Sequence, residues 1–236
     1  LLDTLDAQQV PADIAQRIRH VHGQRAQASQ DFFERMAGDF QSRQDLIAGL
    51  PQFRDSLLAL LDSLTFVASA TAIEVGPGDG SFLAELSSRF QQVRALDNSP
   101  QMLELARQTC VRHGLDNVLL ELADALDDDI EPADCVVVNM VLHHFAVPAD
   151  ALCHLAQLVK PTGSLLITEL CRHDQDWAKQ ACGDLWLGFD QDELALWADA
   201  AGLIPSESLY LGLKNGFQIQ LRHFAKPDSR STLTHR

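Results

Sequence analysis

From residue 70 onward, short apolar runs alternate with stretches of helical periodicity, and no other feature of the chain restricts its fold as much. The runs are TAIEV (71–75), QVRAL (92–96), NVLLEL (117–122), DCVVVNM (134–140) and SLLITEL (164–170). Each is bounded by polar or turn residues and rich in branched apolar side chains, so each reads as a strand. Helical patterns near 80–90, 100–113 and 149–159 fall between them, and strands joined through helices pair in parallel. Two more helices are expected at 174–187 and 191–201. The stretch SESLYLGLKNGFQIQLRHFA then offers two strands around Asn215-Gly216, a strong hairpin signal because both turn residues accept positive φ. The expected fold is α/β: a three-layer, doubly wound, Rossmann-like arrangement with a mostly parallel seven-stranded sheet and an antiparallel C-terminal hairpin.

Ahead of this core, Ile14, Ile18, Val21, Ala28, Phe32 and Met36 recur at helical spacing and predict a long amphipathic N-terminal helix. Its apolar stripe must cover something: its own domain, an active site as a lid, or a second copy in a homodimer. A second helix is expected from Pro51, a residue suited to a first helical position. The division expected is an N-terminal helical extension over 1–68, a ligand-binding core over 69–226 and a flexible tail over 227–236. The chain opens on Leu1 without a secretion-signal pattern, as expected of a processed or truncated piece of a longer sequence.

A length of 236 residues suits one large domain with a small appendage. The formal net charge of −15 disfavours a phosphate backbone or an anionic lipid surface as partner, so neither nucleic acid nor membrane is expected. Five cysteines without a CxxC pair fit a reduced, cytoplasmic setting and give no zinc-ribbon spacing. No metal is expected, although a thiolate site assembled from distant cysteines stays open as the lesser alternative.

After the first expected strand, the run IEVGPGDG (73–80) lets a ligand lie against bare main chain, because its glycines accept positive φ and carry no side chain. In a doubly wound sheet that position lies at the carboxyl ends of the strands, where ligands bind. A dinucleotide fingerprint would place glycine or alanine where Ser81 stands. Glu74 also puts a carboxylate where a pyrophosphate would sit, and so suits a ligand carrying positive charge.

Glu74, Gly76, Gly78 and Gly80, with Pro77 and Asp79 between them, resemble the acid-x-G-x-G-x-G motif of class I S-adenosylmethionine-dependent methyltransferases. That family's fold is the one outlined above. The resemblance implies S-adenosyl-L-methionine as cofactor and S-adenosyl-L-homocysteine as product. It gives Asp97, at the end of the second strand, the ribose hydroxyls, with Asn98 and Met102 beside the ribose and adenine. It gives Asp124 the adenine amino group, with Ala125 adjacent, and gives Asn139 and Met140 the methionine moiety. Any one of these acids could instead cap a helix; in register together they favour the cofactor. Segments 25–40 and 173–203 further resemble methyltransferase domains associated with arsenic-repressor-type (ArsR-like) regulators, although no winged helix is visible in the chain.

Methyl transfer from a sulfonium is an in-line displacement, so the protein's task is alignment. His143 or His144, directly after the fourth strand, is the candidate base for a hydroxyl nucleophile, with His173 a weaker second. Phe32, Phe40, Trp177, Trp186 and Phe189 could line an acceptor pocket, but aromatics at such positions are more often core. The expected function is methyl transfer to a small-molecule acceptor. A non-catalytic S-adenosylmethionine sensor and, less favoured, an NAD(P)-dependent oxidoreductase are the alternatives.

Overall fold

Alternate residues of the central strands enter two separate apolar layers. In β1 (Thr71–Val75) Ala72 joins one layer while Ile73 and Val75 join the other; in β4 (Ala133–Asn139) Cys135 and Val137 part in the same way from Val136 and Val138. A sheet buried on both faces needs apolar residues at every position, which is why these strands read as unbroken apolar runs. The computed structural model describes residues 11–36, 44, 46–126 and 129–228.

The remaining strands are β2 (Gln92–Asp97), β3 (Val118–Leu122), β5 (Val159–Leu170), β6 (Ile204–Gly212) and β7 (Gln218–Ala225), in the order β3-β2-β1-β4-β5-β7-β6. β1 to β5 pair in parallel; β7 runs antiparallel to both β5 and β6. The order reverses between β1 and β4, so the crevice beyond their carboxyl ends is the topological switch point. Helices cover both faces: α1 (Ala12–Met36), α2 (Leu50–Ser63), α3 (Leu83–Ser87), α4 (Pro100–His113), α5 (Pro148–Gln157), α6 (Trp177–Cys182) and α7 (Gln191–Ala200). Phe53, Leu57, Leu60 and Leu61 of α2 are buried in the same layer as α3 and α4, so α2 is part of the sheet's own packing.

Local chemistry fixes the element next to the crevice. Ser99 caps α4 by accepting the Met102 amide at 3.3 Å, Pro100 opens the helix, and Gly114 closes it at φ 62°.

Three expectations change. The helix expected over 174–187 is confined to Trp177–Cys182, because Gly183 takes a left-handed conformation at φ 78° and ends it. In the hairpin only Gly216 has positive φ, and the turn closes through Leu213 and Phe217. Asn215 serves another purpose: its amide donates to the carbonyls of Leu46 and Ile47, tying the hairpin to the segment before α2. Along the stripe of α1, Ile14, Ile18, Val21 and Ala28 are exposed and Phe32 is half-buried against Gly183, while Ser29, off the stripe, is buried. Among the described residues, no helix is long and apolar enough to cross a membrane.

Candidate functional site

The chain leaves β1 through a turn that only glycine can build as it stands. Gly76 sits at φ +64°, and a Cβ there would lie 2.6 Å from Cγ2 of Val141, so the turn presses directly on the segment that follows β4. Gly78 is also left-handed. Gly80 has a different reason: its added Cβ would meet the main chain of Ala106 at 3.0 Å, so it lets α4 approach the turn. Thr109 of α4 donates to the Asp79 carbonyl at 2.7 Å and holds that contact.

Two recesses meet at Gly76 and Gly78. The larger, of about 450 Å³, is walled by the ends of β1, β2 and β3, by the 3-10 turn Leu142–His144 and by α1. The smaller, of about 40 Å³, lies between the glycine turn, Asn139 and the amino end of α2.

Glu74 opens on the smaller recess. Its side chain is 2 % exposed; Oε1 accepts the Asn139 amide at 3.3 Å, and Oε2 has no hydrogen-bond partner among the described residues. Asn139 is in turn oriented by Thr168, whose hydroxyl donates to it at 2.9 Å. Burial pushes the Glu74 carboxyl up to about 8, against the opposing hydrogen bond from Asn139 and with a smaller push from Asp79. A buried carboxylate oxygen without a partner is costly unless it is protonated, hydrogen-bonded or paired with a cation.

Asp97 opens on the larger recess, where burial raises it to about 6 while the Ser99 amide, donating at 2.9 Å, pulls it down. Because Ser99 supplies the helix cap, Asp97 is not spent on capping. Asn98, Met102, Asp124 and Ala125 line the same cavity, with Asp124 accepting the Leu126 amide at 3.0 Å. Pro77, Asn139 and Met140 line the smaller recess instead, and Met140 holds a left-handed φ of 56° at the end of β4. Gly80 lines neither recess.

The two histidines separate. His144 lines the larger cavity and donates from Nδ1 to the Gly183 carbonyl at 3.2 Å; a carbonyl only accepts, so the ring proton sits on Nδ1 and the lone pair on Nε2. Burial and the neighbouring His143 hold His144 well below the ordinary histidine range. His143 does not line either recess: it is 4 % exposed, with Nδ1 on the Glu169 carboxylate and Nε2 3.6 Å from Asp184. Burial opposes its charged form, yet Glu169 and Asp184 together outweigh that and raise it to about 9.

The aromatic residues divide similarly. Phe189 is core at 1 % exposure and lines neither recess, while Phe32 packs against Gly183. Trp177 and Trp186 are exposed, Trp186 donating to the Phe145 carbonyl with Arg25 over its ring. His173 stacks edge-on against Phe217 and lines neither recess, and Phe40 lies outside the described residues.

Sequence reasoning missed His22, Gly23 and Ala26, which bring α1 to the cavity wall, and missed Glu169 and Asp184. An acid inside the apolar run SLLITEL was a usable signal for Glu169. Asp184 carried none.

Residues 73–167 match the family model described as a methyltransferase domain. The malonyl-[acyl-carrier protein] O-methyltransferase of Salmonella typhimurium is 30% identical over 155 residues, covering 66% of this chain and 56% of that protein. The chain spans about half the length of the first curated relatives it matches, 43% and 56% of two of them. Among solved structures, the cyclase SpnF aligns with a TM-score of 0.70 at 14% identity, covering 85% of this chain and 95% of that one. The N-methyltransferase NodS of Bradyrhizobium japonicum, in complex with S-adenosyl-L-homocysteine, aligns with a TM-score of 0.66 at 20% identity, over 85% and 99% of the two chains. Residues 73–167 are therefore similar to a methyltransferase domain, and the chain shares its fold with methyltransferases of known structure.

Proposed function

We propose that the chain transfers a methyl group from S-adenosyl-L-methionine to a small-molecule acceptor. The observation that carries this reading is the buried Glu74 carboxylate, with Oε2 unpartnered among the described residues beside the glycine turn and Asp97 at the end of the adjacent strand. Those groups fit the donor: an ammonium at Glu74, ribose hydroxyls at Asp97, and main chain at Gly76 and Gly78 where a side chain would intrude. Asn98, Met102, Asp124 and Ala125 complete the adenosyl end; Pro77, Asn139 and Met140 border the methionine end, and Gly80 supports the turn from behind.

When bound, the donor supplies an activated methyl group on a sulfonium. The chain's own residues then have to hold it, exclude water and set the acceptor in line, an arrangement worth roughly 7–11 kcal/mol of barrier in favourable cases. The apolar walls contributed by Val75, Leu96, Val141 and Phe145 suit water exclusion, and α1 closes the cavity from outside. His144 stands at the cavity wall and His143 behind it, so His144 is the member of the pair that can meet a bound acceptor.

Shared fold does not dictate chemistry. The reach of α1 into the cavity also supports a sensor reading, in which donor occupancy is passed to whatever α1 joins. The segments resembling ArsR-associated methyltransferase domains would place a regulator upstream of α1. Isothermal calorimetry of the chain with S-adenosylmethionine, then NADH, tests the site, with binding of the first alone expected. Release of S-adenosylhomocysteine in a metabolite screen would separate enzyme from sensor.

A further inference from the structure

At and just behind the cavity wall, four side chains converge. The 3-10 turn after β4 contributes His143 and His144, β5 contributes Glu169, and the loop after α6 contributes Asp184. One donor atom from each of His143, His144 and Asp184 lies within 4.8 Å of the others. Asp184 is 3 % exposed, and neither of its carboxylate oxygens has a hydrogen-bond partner among the described residues. Only the 3.6 Å approach of His143 Nε2 offsets it, a thin compensation for a buried carboxylate, which is ordinarily closely paired, hydrogen-bonded or bound to a cation.

The two imidazoles are held in the manner of metal ligands. His143 turns Nδ1 to the Glu169 carboxylate and faces Asp184 with Nε2, while His144 turns Nδ1 to the Gly183 carbonyl. Ligating histidines almost always have the second nitrogen tied to a carboxylate or a backbone carbonyl in this way, which fixes the ring and raises its basicity. The 3.6 Å between His143 Nε2 and Asp184 Oδ1 exceeds a normal hydrogen bond. It is close to the ~3.4 Å that separates two ligands each about 2.0–2.1 Å from a tetrahedral zinc.

We propose that His143, His144 and Asp184 bind a divalent transition-metal ion, zinc by its donor set of two imidazoles and one carboxylate, with Glu169 and the Gly183 carbonyl orienting the two rings. Three protein ligands leave one position open, the pattern of catalytic rather than structural zinc sites. Since His144 is also a wall of the larger cavity, the ion lies one imidazole away from it. The ion pins the loop at 183–184 to the turn at 142–144. It also offsets the two carboxylates buried there.

The test uses the full chain, stripped with a chelator and titrated with Zn²⁺ against a chromophoric competitor, and separately with Co²⁺ followed by visible absorption. One equivalent should bind, with an intense tetrahedral Co²⁺ spectrum free of thiolate charge-transfer bands. Asp184→Asn should weaken Zn²⁺ binding at least a hundredfold, and Glu169→Gln roughly 10–100-fold, through loss of the carboxylate that orients His143. Circular dichroism checks that each variant folds; if one does not, the wild-type Co²⁺ spectrum decides by itself. Three results would overturn the proposal: no stoichiometric binding, which leaves His143 as a cation bridging two carboxylates; a thiolate spectrum, which moves the ion to cysteine; or unchanged affinity in folded Asp184→Asn.

Discussion

Glu74 pairs in register with Ala95, and Asp97 lies two residues further along that same neighbouring strand, so the two carboxylates project from one face of the sheet. They nonetheless serve different recesses, Glu74 the smaller and Asp97 the larger, which join only over Gly76 and Gly78. A ligand touching both carboxylates must therefore cross the glycine turn. That geometry suits an elongated molecule with a cation at one end and vicinal hydroxyls in the middle.

Glu74→Gln keeps the shape of the side chain and its acceptor for Asn139 but removes the charge. S-adenosylmethionine affinity should fall by more than tenfold, and Asp97→Asn should do the same by losing an ionic acceptor for the hydroxyls. Calorimetry on both variants checks this; affinity unchanged in both would reject the site.

Proton linkage gives a second check. Burial raises Glu74 to about 8 and Asp97 to about 6, so the folded, ligand-free protein holds protons that the unfolded chain has released. The sign follows. Below the ordinary carboxylate range both states are protonated and burial costs nothing; as pH rises from there through the folded-state values, stability is lost, up to about 8 for Glu74. A cationic ligand needs Glu74 ionised, so its binding should release close to one proton, and affinity should rise ~tenfold per pH unit between about 6 and 7.5. Calorimetry in buffers of different ionisation enthalpy measures the proton directly. Glu74→Gln should abolish the release, and a wild type that releases none would contradict the assignment.

Gly76→Ala faces two separate penalties: a left-handed backbone costing ~1–2 kcal/mol in a residue with a side chain, and a Cβ 2.6 Å from Val141. Val141→Ala removes the second and leaves the first. The double variant should thus recover part, but not all, of the stability and donor affinity lost by Gly76→Ala, as read by denaturant melts and calorimetry. Full recovery would mean that the backbone angle is unimportant; none would mean that Val141 is not the obstacle.

How much of this was readable beforehand depended on whether the signal was local. The strands and their order of appearance were legible because a two-faced parallel sheet requires continuous apolar runs. Glu74 and Asp97 were legible because each ends or nearly ends such a run. Gly80 was visible as a glycine, but its contact with Ala106 comes from helix packing, which no local pattern encodes. His143 and His144 were visible as a pair, yet their opposite orientations depend on Glu169, Gly183 and Asp184, 26 to 41 residues further along the chain. Asn215 advertised a tight turn and sits in one, its Oδ1 accepting the Phe217 amide, but the tertiary tie made by its amide group to carbonyls far away in sequence carried no signal. The apolar stripe of α1 was plain in the periodicity, but what covers it is a matter of docking, and its first half is exposed.

The position of α1 leads to a last prediction. Gly23 lies in the middle of this 25-residue helix, where a Cβ would meet nothing within 4 Å, and it also lines the larger cavity. Gly23→Ala should therefore add helix propensity of about 0.5–1 kcal/mol without a clash. Hydrogen exchange should show α1 amides protected a few-fold more strongly, with donor affinity little changed. Gly23→Trp carries a bulky ring on the cavity side of the same helix and should lower donor affinity by tenfold or more, while leaving exchange in β1 and β4 unaltered. If Gly23→Trp binds the donor as the wild type does, α1 is not a wall of the occupied site, and the coupling of cavity to helix on which the sensor reading depends is lost.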